Sequence, residues 1–321
     1  MTGVILKELR MPIQTRHQRV ADSKIAIIGA GAVGSTIAYT LMIKTLAAEV
    51  VLIDINEKKK EGEIMDLDDG QCFSATGSIK GGNYKDAADA DIIILTAGTA
   101  QKIGETRLDL VNKNKEITTA VFKGIGKIKP SAIVVVVANP VDIIAHLAQK
   151  LSNLPHRQVF GTGTALDSAR LKSELARLLG VYAENVGGFM LGEHGDSEFA
   201  AWSTVTIGGI PIKNLDVSSD DLNAVEKRIK SAAYDIINRK GATFYGIAMA
   251  TVNIVEAIVF DQHKILALSP RLTDWNGISD VCIGAPAVLG RNGIEKIWPL
   301  KLTGAEMNKL KKSADIVKAY L

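Results

Sequence analysis

The sequence predicts an α/β protein in which a doubly wound parallel sheet is followed by an α+β half with antiparallel strands. Three observations carry this. Short apolar segments alternate with helical ones from residue 24 to about 161. The run Ile133 to Ala138 is apolar at every position, as a parallel strand covered on both faces should be. Beyond residue 161 the alternation gives way to glycine-paired turns, which suit hairpins.

The first strand is expected at Lys24–Ile28, followed by the glycine turn Gly29-Ala-Gly31-Ala-Val33-Gly34 and an apolar helix from Ser35 to Lys44. A second strand, Val50–Ile53, ends at Asp54. Strand, glycine turn, helix and acid thus fall within one βαβ unit of the Rossmann type. Gly29 allows the tight turn, Gly31 lets the backbone approach a pyrophosphate, and Gly34 allows close contact between helix and strand. Asp54 can accept hydrogen bonds from the ribose hydroxyls of NAD and would repel the 2′-phosphate of NADP, so the expected cofactor is NAD(H). The competing reading is a plain glycine turn with a surface aspartate.

A charged helix spans Lys58 to Gly70, and a third strand covers Ala90–Thr96. Ala97-Gly98 opens a loop running through Gln101-Lys-Ile-Gly-Glu-Thr-Arg107, ahead of a long helix from Leu108 to about Lys129. Glycine and polar residues after a strand end suit a mobile lid that excludes water. Arg107 could polarise a substrate carbonyl or simply charge the first turn of the next helix. Asn139-Pro140 closes the buried strand, and the domain boundary is placed near 161, with 1–23 as an arm, 24–161 as the cofactor domain and 162–321 as the catalytic domain.

In the second half a helix is expected at Ala165–Leu179, and an apolar strand leads into Gly192-Glu-His194-Gly-Asp196. A hairpin is expected around Gly208-Gly209, two helices broken by Gly241, a turn at Asn292-Gly293, and a final helix opening on the capping box Thr303-Gly-Ala-Glu306. A histidine titrates near neutral pH, so His194, set between two acids of its own stretch, can give or take a proton; a lone loop histidine can also be merely solvated. Asp167 and Arg170 share one helix face. They form either an intrahelical ion pair or two separate contacts, Asp167 to an imidazole nitrogen of His194 and Arg170 to a substrate carboxylate.

Bulk properties narrow the function classes. The chain has 321 residues, 47 % of them hydrophobic, and a formal charge of +3. Residues 1–23 carry Lys7, Arg10, Arg16 and Arg19 against Glu8 and Asp22, so the rest is nearly neutral. A basic stripe with stacking aromatics is missing, which argues against nucleic acid. No apolar run reaches the roughly 20 residues that cross a bilayer. Cys72 and Cys282 have no partners at metal-ligand spacing, so neither a disulfide framework nor a metal site is expected, and a reducing, cytoplasmic setting is.

On the glycine motif with Asp54, Gln101 through Arg107, Asn139-Pro-Val-Asp142, Leu166-Asp-Ser-Ala-Arg170, Gly192-Glu-His-Gly-Asp196 and Lys240-Gly-Ala-Thr243, the chain resembles the lactate/malate dehydrogenase family, and within it the L-lactate branch. The resemblance runs from Lys24 to the C-terminus. It implies His194 as general acid/base, Asp167 as its orienting partner, Arg170 as carboxylate anchor and Arg107 as lid arginine. It further implies Asn139 and Thr243 in the substrate pocket, with Gly29, Gly31, Val33, Gly34, Asp54, Ala97, Gly98 and Asn139 at the cofactor. Gln101 takes the position where malate dehydrogenases hold an arginine for the second carboxylate, so pyruvate is the expected substrate and oxaloacetate the alternative, through Lys102. A non-catalytic NAD-binding protein is the reading from a different class.

The family further implies a homotetramer, which the arm before Lys24 would embrace. At the interface site where sugar-phosphate-activated relatives carry a basic residue and a histidine, this chain has Lys172 and Gly187, so strong activation by fructose 1,6-bisphosphate is not expected.

Overall fold

A computed structural model describes residues 23–74, 77–99 and 107–321, with Arg107 by its backbone alone. The arm therefore lies outside the described residues except for Ser23. Strands β1 (Lys24–Ile28), β2 (Glu49–Ile53), β3 (Ser78–Gly82), β4 (Ile92–Leu95), β5 (Ile133–Val136) and β6 (Val159–Gly161) form one parallel sheet in the order β3-β2-β1-β4-β5-β6. The order reverses between β1 and β4, and a crevice opens there at the carboxyl ends of the strands.

Alternation of side chains across this sheet explains its two covered faces. Ile25, Ile27, Ile92, Ile94, Ile133 and Val135 point to one core, while Ala26, Ile28, Ile93, Leu95, Val134 and Val136 point to the other. The first core is closed by helix α1 (Ala32–Lys44) and the second by α3 (Arg107–Ile125) and α4 (Val141–Ser152). Between them in sequence, α2 (Glu57–Asp69) is capped by the Asn56 side chain, which accepts from Lys59 N.

The remaining elements are α5 (Ala165–Leu179), β7 (Val186–Gly187), β8 (Met190–Leu191), β9 (Phe199–Ala200), β10 (Thr206–Ile207), β11 (Ile210–Pro211), α6 (Ser219–Lys240), α7 (Tyr245–Val259), β12 (Lys264–Leu268), β13 (Ala285–Gly290), β14 (Gly293–Ile297) and α8 (Gly304–Lys318). All their strand pairings are antiparallel, in sheets β11-β10-β7 and β12-β13-β14 and the hairpin β8-β9. The halves are not separate bodies of core. Val252 and Val255 of α7 pack in the same cluster as Ile37 and Leu41 of α1, so the second half is seated on the cofactor-side helix.

Several sequence expectations need adjustment. The long helix ends at Ile125 instead of Lys129 because Gly126 turns to φ +77° and its N–H bonds back to Phe122 O. The buried strand stops at Val136, and both Val137 N and Ala138 N then donate to Leu95 O. Strands β3, β9 and β12 are additional to those expected. In β3, an edge strand, only Ile79 is buried, and β12 buries only its last two residues, so neither shows an apolar run. The Gly208-Gly209 hairpin, the Gly241 break and the Thr303–Glu306 capping box are all present.

Candidate active site

The crevice at the sheet reversal is built mainly from backbone. Gly31 precedes α1 and no side chain caps that helix, so its first N–H groups are left to an anion. Gly29 sits at φ +111°, and a methyl group at Gly34 would lie 1.8 Å from Gly29 O. At Gly31 a methyl would meet nothing within 4 Å, so the space above the turn is open. Val33 is half-buried in the first turn of α1. Thr96 Oγ1 donates to Ile28 O and Gly29 O, each at 3.0 Å, tying the turn to the end of β4.

Asp54 shows a second task for its carboxylate: Oδ2 accepts from Ala30 N at 2.7 Å and Oδ1 from Asn56 N at 2.8 Å. It is half-buried, with lone pairs left for ribose hydroxyls. Ala97 and Gly98 follow β4 at the crevice edge. These groups fit a dinucleotide: a cradle without side chains at the turn, unsatisfied N–H groups at a helix start, and an acid at the second strand end.

Asn114, which sequence reasoning did not single out, holds the next part of the crevice. It is 1 % exposed; its Oδ1 accepts from Thr99 N at 2.8 Å, and its Nδ2 donates to Asn139 O at 2.7 Å and Thr99 O at 3.1 Å. One buried amide thus fixes Thr99, after β4, to the segment that follows the buried strand. Asn139 itself is exposed, with Oδ1 accepting from Val141 N at 3.3 Å. The signal was present in the spacing, because Val111, Asn114, Thr118 and Val121 form one buried helical stripe with two polar members.

The histidine stands after a strand, not in one. β8 ends at Leu191, Gly192 adopts φ +94°, and Gly192 and Gly284 exchange backbone hydrogen bonds of 3.0 and 2.7 Å. Two buried side chains fix the backbone of the turn: Glu193 N donates to Ser313 Oγ at 2.6 Å and His194 N to Asp142 Oδ2 at 2.8 Å. Asp142 accepts in turn from Ser269 Oγ at 2.5 Å. The start of α5 is pinned to β8 by Thr164 Oγ1 donating to Met190 O at 2.7 Å and Met190 N donating to Ser168 Oγ at 3.0 Å.

That attachment brings Asp167 Oδ2 to 2.8 Å from His194 Nδ1, while Asp167 Oδ1 accepts from Arg170 Nη1 at 2.7 Å. The intrahelical pair is therefore present, and Asp167 binds the imidazole at the same time. Asp167 is 1 % exposed and the His194 side chain 29 %, so the acid is sealed while the ring keeps an open edge. The two acids beside His194 in sequence are not its partners. Glu193 accepts from Ser197 Oγ at 2.5 Å and Asp196 is exposed; the acids around the imidazole are Asp167, Glu198 and Asp142.

The electrostatics follow from this enclosure. Burial disfavours the charged imidazole, but Asp167, then Glu198 and Asp142, outweigh it and raise His194 to about 9. Burial would likewise lift Asp167, yet His194 and Arg170 hold it below the usual carboxylate range. Burial, followed by the Asp167 charge, pushes Glu198 up to about 8. The arrangement can hold a proton on the imidazole at neutral pH and present Nε2 to a bound molecule, because Nδ1 is committed to Asp167.

Other expected site residues stand at varied distances from this centre. Thr243 is half-buried in the link between α6 and α7, and the next turn, at Gly246, faces Leu166, which precedes Asp167. Gln101 and Lys102 lie outside the described residues, as does the side chain of Arg107. Lys172 is half-buried, which lowers its pKa. Gly187 pairs with Thr206 of β10, and a side chain there would start 2.7 Å from Thr206 Oγ1.

Comparison with known proteins adds independent support. The NAD-binding domain model of lactate/malate dehydrogenase matches residues 23–161, and the corresponding alpha/beta C-terminal domain model matches residues 164–321. L-lactate dehydrogenases of Clostridium botulinum and Acetivibrio thermocellus are each 45 % identical, covering 93 % of this chain and 96 % of theirs. Among solved structures, a lactate dehydrogenase from a Medee basin deep-sea metagenome library matches with a TM-score of 0.90 at 42 % identity, over 93 % of this chain and 98 % of that one. The minor L-lactate dehydrogenase of Enterococcus mundtii, in its ligands-bound form, matches with a TM-score of 0.90 at 42 % identity over 94 % and 98 %. With the glycine crevice and the buried Asp167–His194 pair in one fold and these matches along nearly its whole length, the chain belongs to the lactate/malate dehydrogenase family.

Proposed function

We infer that the protein is an NAD-dependent L-lactate dehydrogenase that interconverts pyruvate and L-lactate, and that His194 is its general acid/base. The observation that carries this reading is the 2.8 Å contact between His194 Nδ1 and a buried, ion-paired Asp167. The 45 % identity to curated L-lactate dehydrogenases favours pyruvate over oxaloacetate, as does an uncharged Gln101 where malate enzymes hold arginine.

The crevice from Gly29 to Gly34, with Asp54, Ala97 and Gly98, would hold NAD(H), which would supply or take up the hydride when bound. His194 donates its Nε2 proton to the forming alkoxide oxygen in reduction and accepts it in oxidation. Asp167 fixes the tautomer and stabilises the imidazolium. Arg170, turned toward the same acid by one nitrogen, offers its remaining donors to the substrate carboxylate, with Asn139 and Thr243 beside it. Arg107 polarises the carbonyl, and Gln101 leaves the substrate side chain without a cation. We further propose a cytoplasmic homotetramer at the fermentative end of glycolysis; Ile55 and Phe73, 84 % and 90 % exposed, are apolar side chains that an assembly would cover.

A pH profile tests the role of His194, with the sign fixed by its raised pKa. Pyruvate reduction needs the imidazolium and should lose kcat/KM as pH rises through about 9. Lactate oxidation needs the neutral ring and should gain over the same interval. Parallel rather than opposed limbs in the two directions would contradict the assignment.

A further inference from the structure

A third carboxyl stands against the His194–Asp167 pair, and proton transfer as described gives it no task. Glu198 is 4 % exposed, and its Oε2, 4.0 Å from His194 Nδ1, has no hydrogen-bond partner among the described residues. Its place is fixed by backbone. Glu198 N donates to Gly195 O at 3.1 Å, closing the turn after the histidine, and the next residue, Phe199, pairs with Leu191 in the β8-β9 hairpin. The turn therefore returns the carboxyl beneath the ring.

Behind Glu198 lies a cavity of about 410 Å³ whose lining includes Glu226 and Lys230 of α6 and Lys309 and Lys312 of α8. The carboxyl thus stands between the proton-carrying ring and a solvent-facing cleft. A carboxylate in so buried a place, beside the charge of Asp167, is costly, so Glu198 holds its proton above the usual carboxylate range.

We propose that Glu198 is a positioning residue for the catalytic proton: its buried carboxyl, returned by the turn to about 4 Å from the ring, helps hold the imidazolium of His194. This rests on the reading of His194 as the proton donor to a 2-oxo acid.

The surrounding charges fit that role. Asp167, facing Glu198 from α5, opposes its ionisation, whereas His194, Lys230 and Arg170 favour it, and the balance sits at about 8, below the value of about 9 for His194. Asp142 from α4 faces the imidazole as well. Glu193 and Asp196 lie on the same turn, the first engaged by Ser197 and the second exposed. A carboxylate about 4 Å from an imidazolium raises its pKa, so neutralising it must lower the titration of His194.

The test compares wild-type enzyme with Glu198→Gln, both saturated with NADH. The His194 ring signal is titrated by NMR, assigned with His194→Asn, and pyruvate KM and kcat are measured across the same pH range. The His194 midpoint should fall by about one unit in Glu198→Gln. Pyruvate KM at pH 8.5, relative to pH 6.5, should rise about threefold more than in wild type, with kcat moving less. Glu198→Asp should recover part of the shift. Unchanged midpoint and unchanged KM profile in Glu198→Gln overturn the proposal. Should that variant not fold, the wild-type ring signal alone decides, since it must show an inflection near 8 before its own titration, and a single step overturns the proposal. If Glu198→Gln moves the His194 midpoint while wild-type enzyme leaves pyruvate unreduced, the Glu198 coupling stands and the lactate reading falls.

Discussion

The two ends of the catalytic crevice are made of different materials. At the cofactor end, the groups that matter are backbone N–H groups, missing side chains and one carboxylate, all within residues 29–54. At the proton end, the groups are side chains from four separate segments: Asp142 on α4, Asp167 and Arg170 on α5, His194 with Glu198 on the turn after β8, and Ser269 after β12. The first is rigid because a tight turn leaves no room. The second is rigid because every buried polar atom but a few has a partner.

The difference teaches where each site is vulnerable. A backbone cradle tolerates loss of charge but not added volume, since its shape is its function. A side-chain centre tolerates a volume-conserving change in space but not a change in proton inventory. Substitutions at the two ends should therefore fail in different observables, and each of the following is a way to break that contrast.

The largest effect is expected for His194→Asn. Removing the general acid/base should cut kcat for pyruvate reduction about a thousandfold or more, while NADH affinity, measured by fluorescence titration, stays within about threefold. A comparable loss of NADH binding would mean that the two ends are not separable. Next is Gly34→Ala, where a methyl would press on Gly29 O at 1.8 Å. Overpacking of this kind typically costs ~1–3 kcal/mol, so NADH binding should weaken by about tenfold to a hundredfold with a lowered Tm. Kinetics at saturating NADH should largely recover, as the proton centre is untouched.

The smallest effect is expected for Asp54→Asn. The amide keeps its carbonyl oxygen for Ala30 N but loses the charge toward ribose, and NADH affinity should drop about tenfold. NADPH should gain relative to NADH because the repulsion of a 2′-phosphate is gone. An NADH affinity equal to wild type would show that Asp54 serves only the glycine turn.

How much of this was legible in sequence follows the same division. The glycine turn, its helix and Asp54 are contiguous, so spacing alone predicts them, and the parallel character of the sheet around them follows from alternation. What spacing could not show is that Asp54 also braces Ala30. At the proton end, Asp167 and His194 lie 27 residues apart, and only the pinning of α5 to β8 through Thr164 and Ser168 brings them together. Adjacency in sequence is no guide here, since Glu193 and Asp196 flank the histidine yet the first accepts from Ser197 and the second is exposed, while Glu198 folds back to it. Asn114 was concealed in a helix whose buried stripe reads as apolar unless its two polar members are counted. Strands β3 and β12 escaped for a related reason, because an edge or half-covered strand needs no apolar run.

The most direct test of the central claim compares pyruvate and oxaloacetate as oxidants of NADH by the wild-type enzyme under one set of conditions. The account requires kcat/KM for pyruvate to exceed that for oxaloacetate, and the preference to move toward oxaloacetate in Gln101→Arg. Faster turnover of oxaloacetate at low concentration by the wild-type enzyme would contradict it.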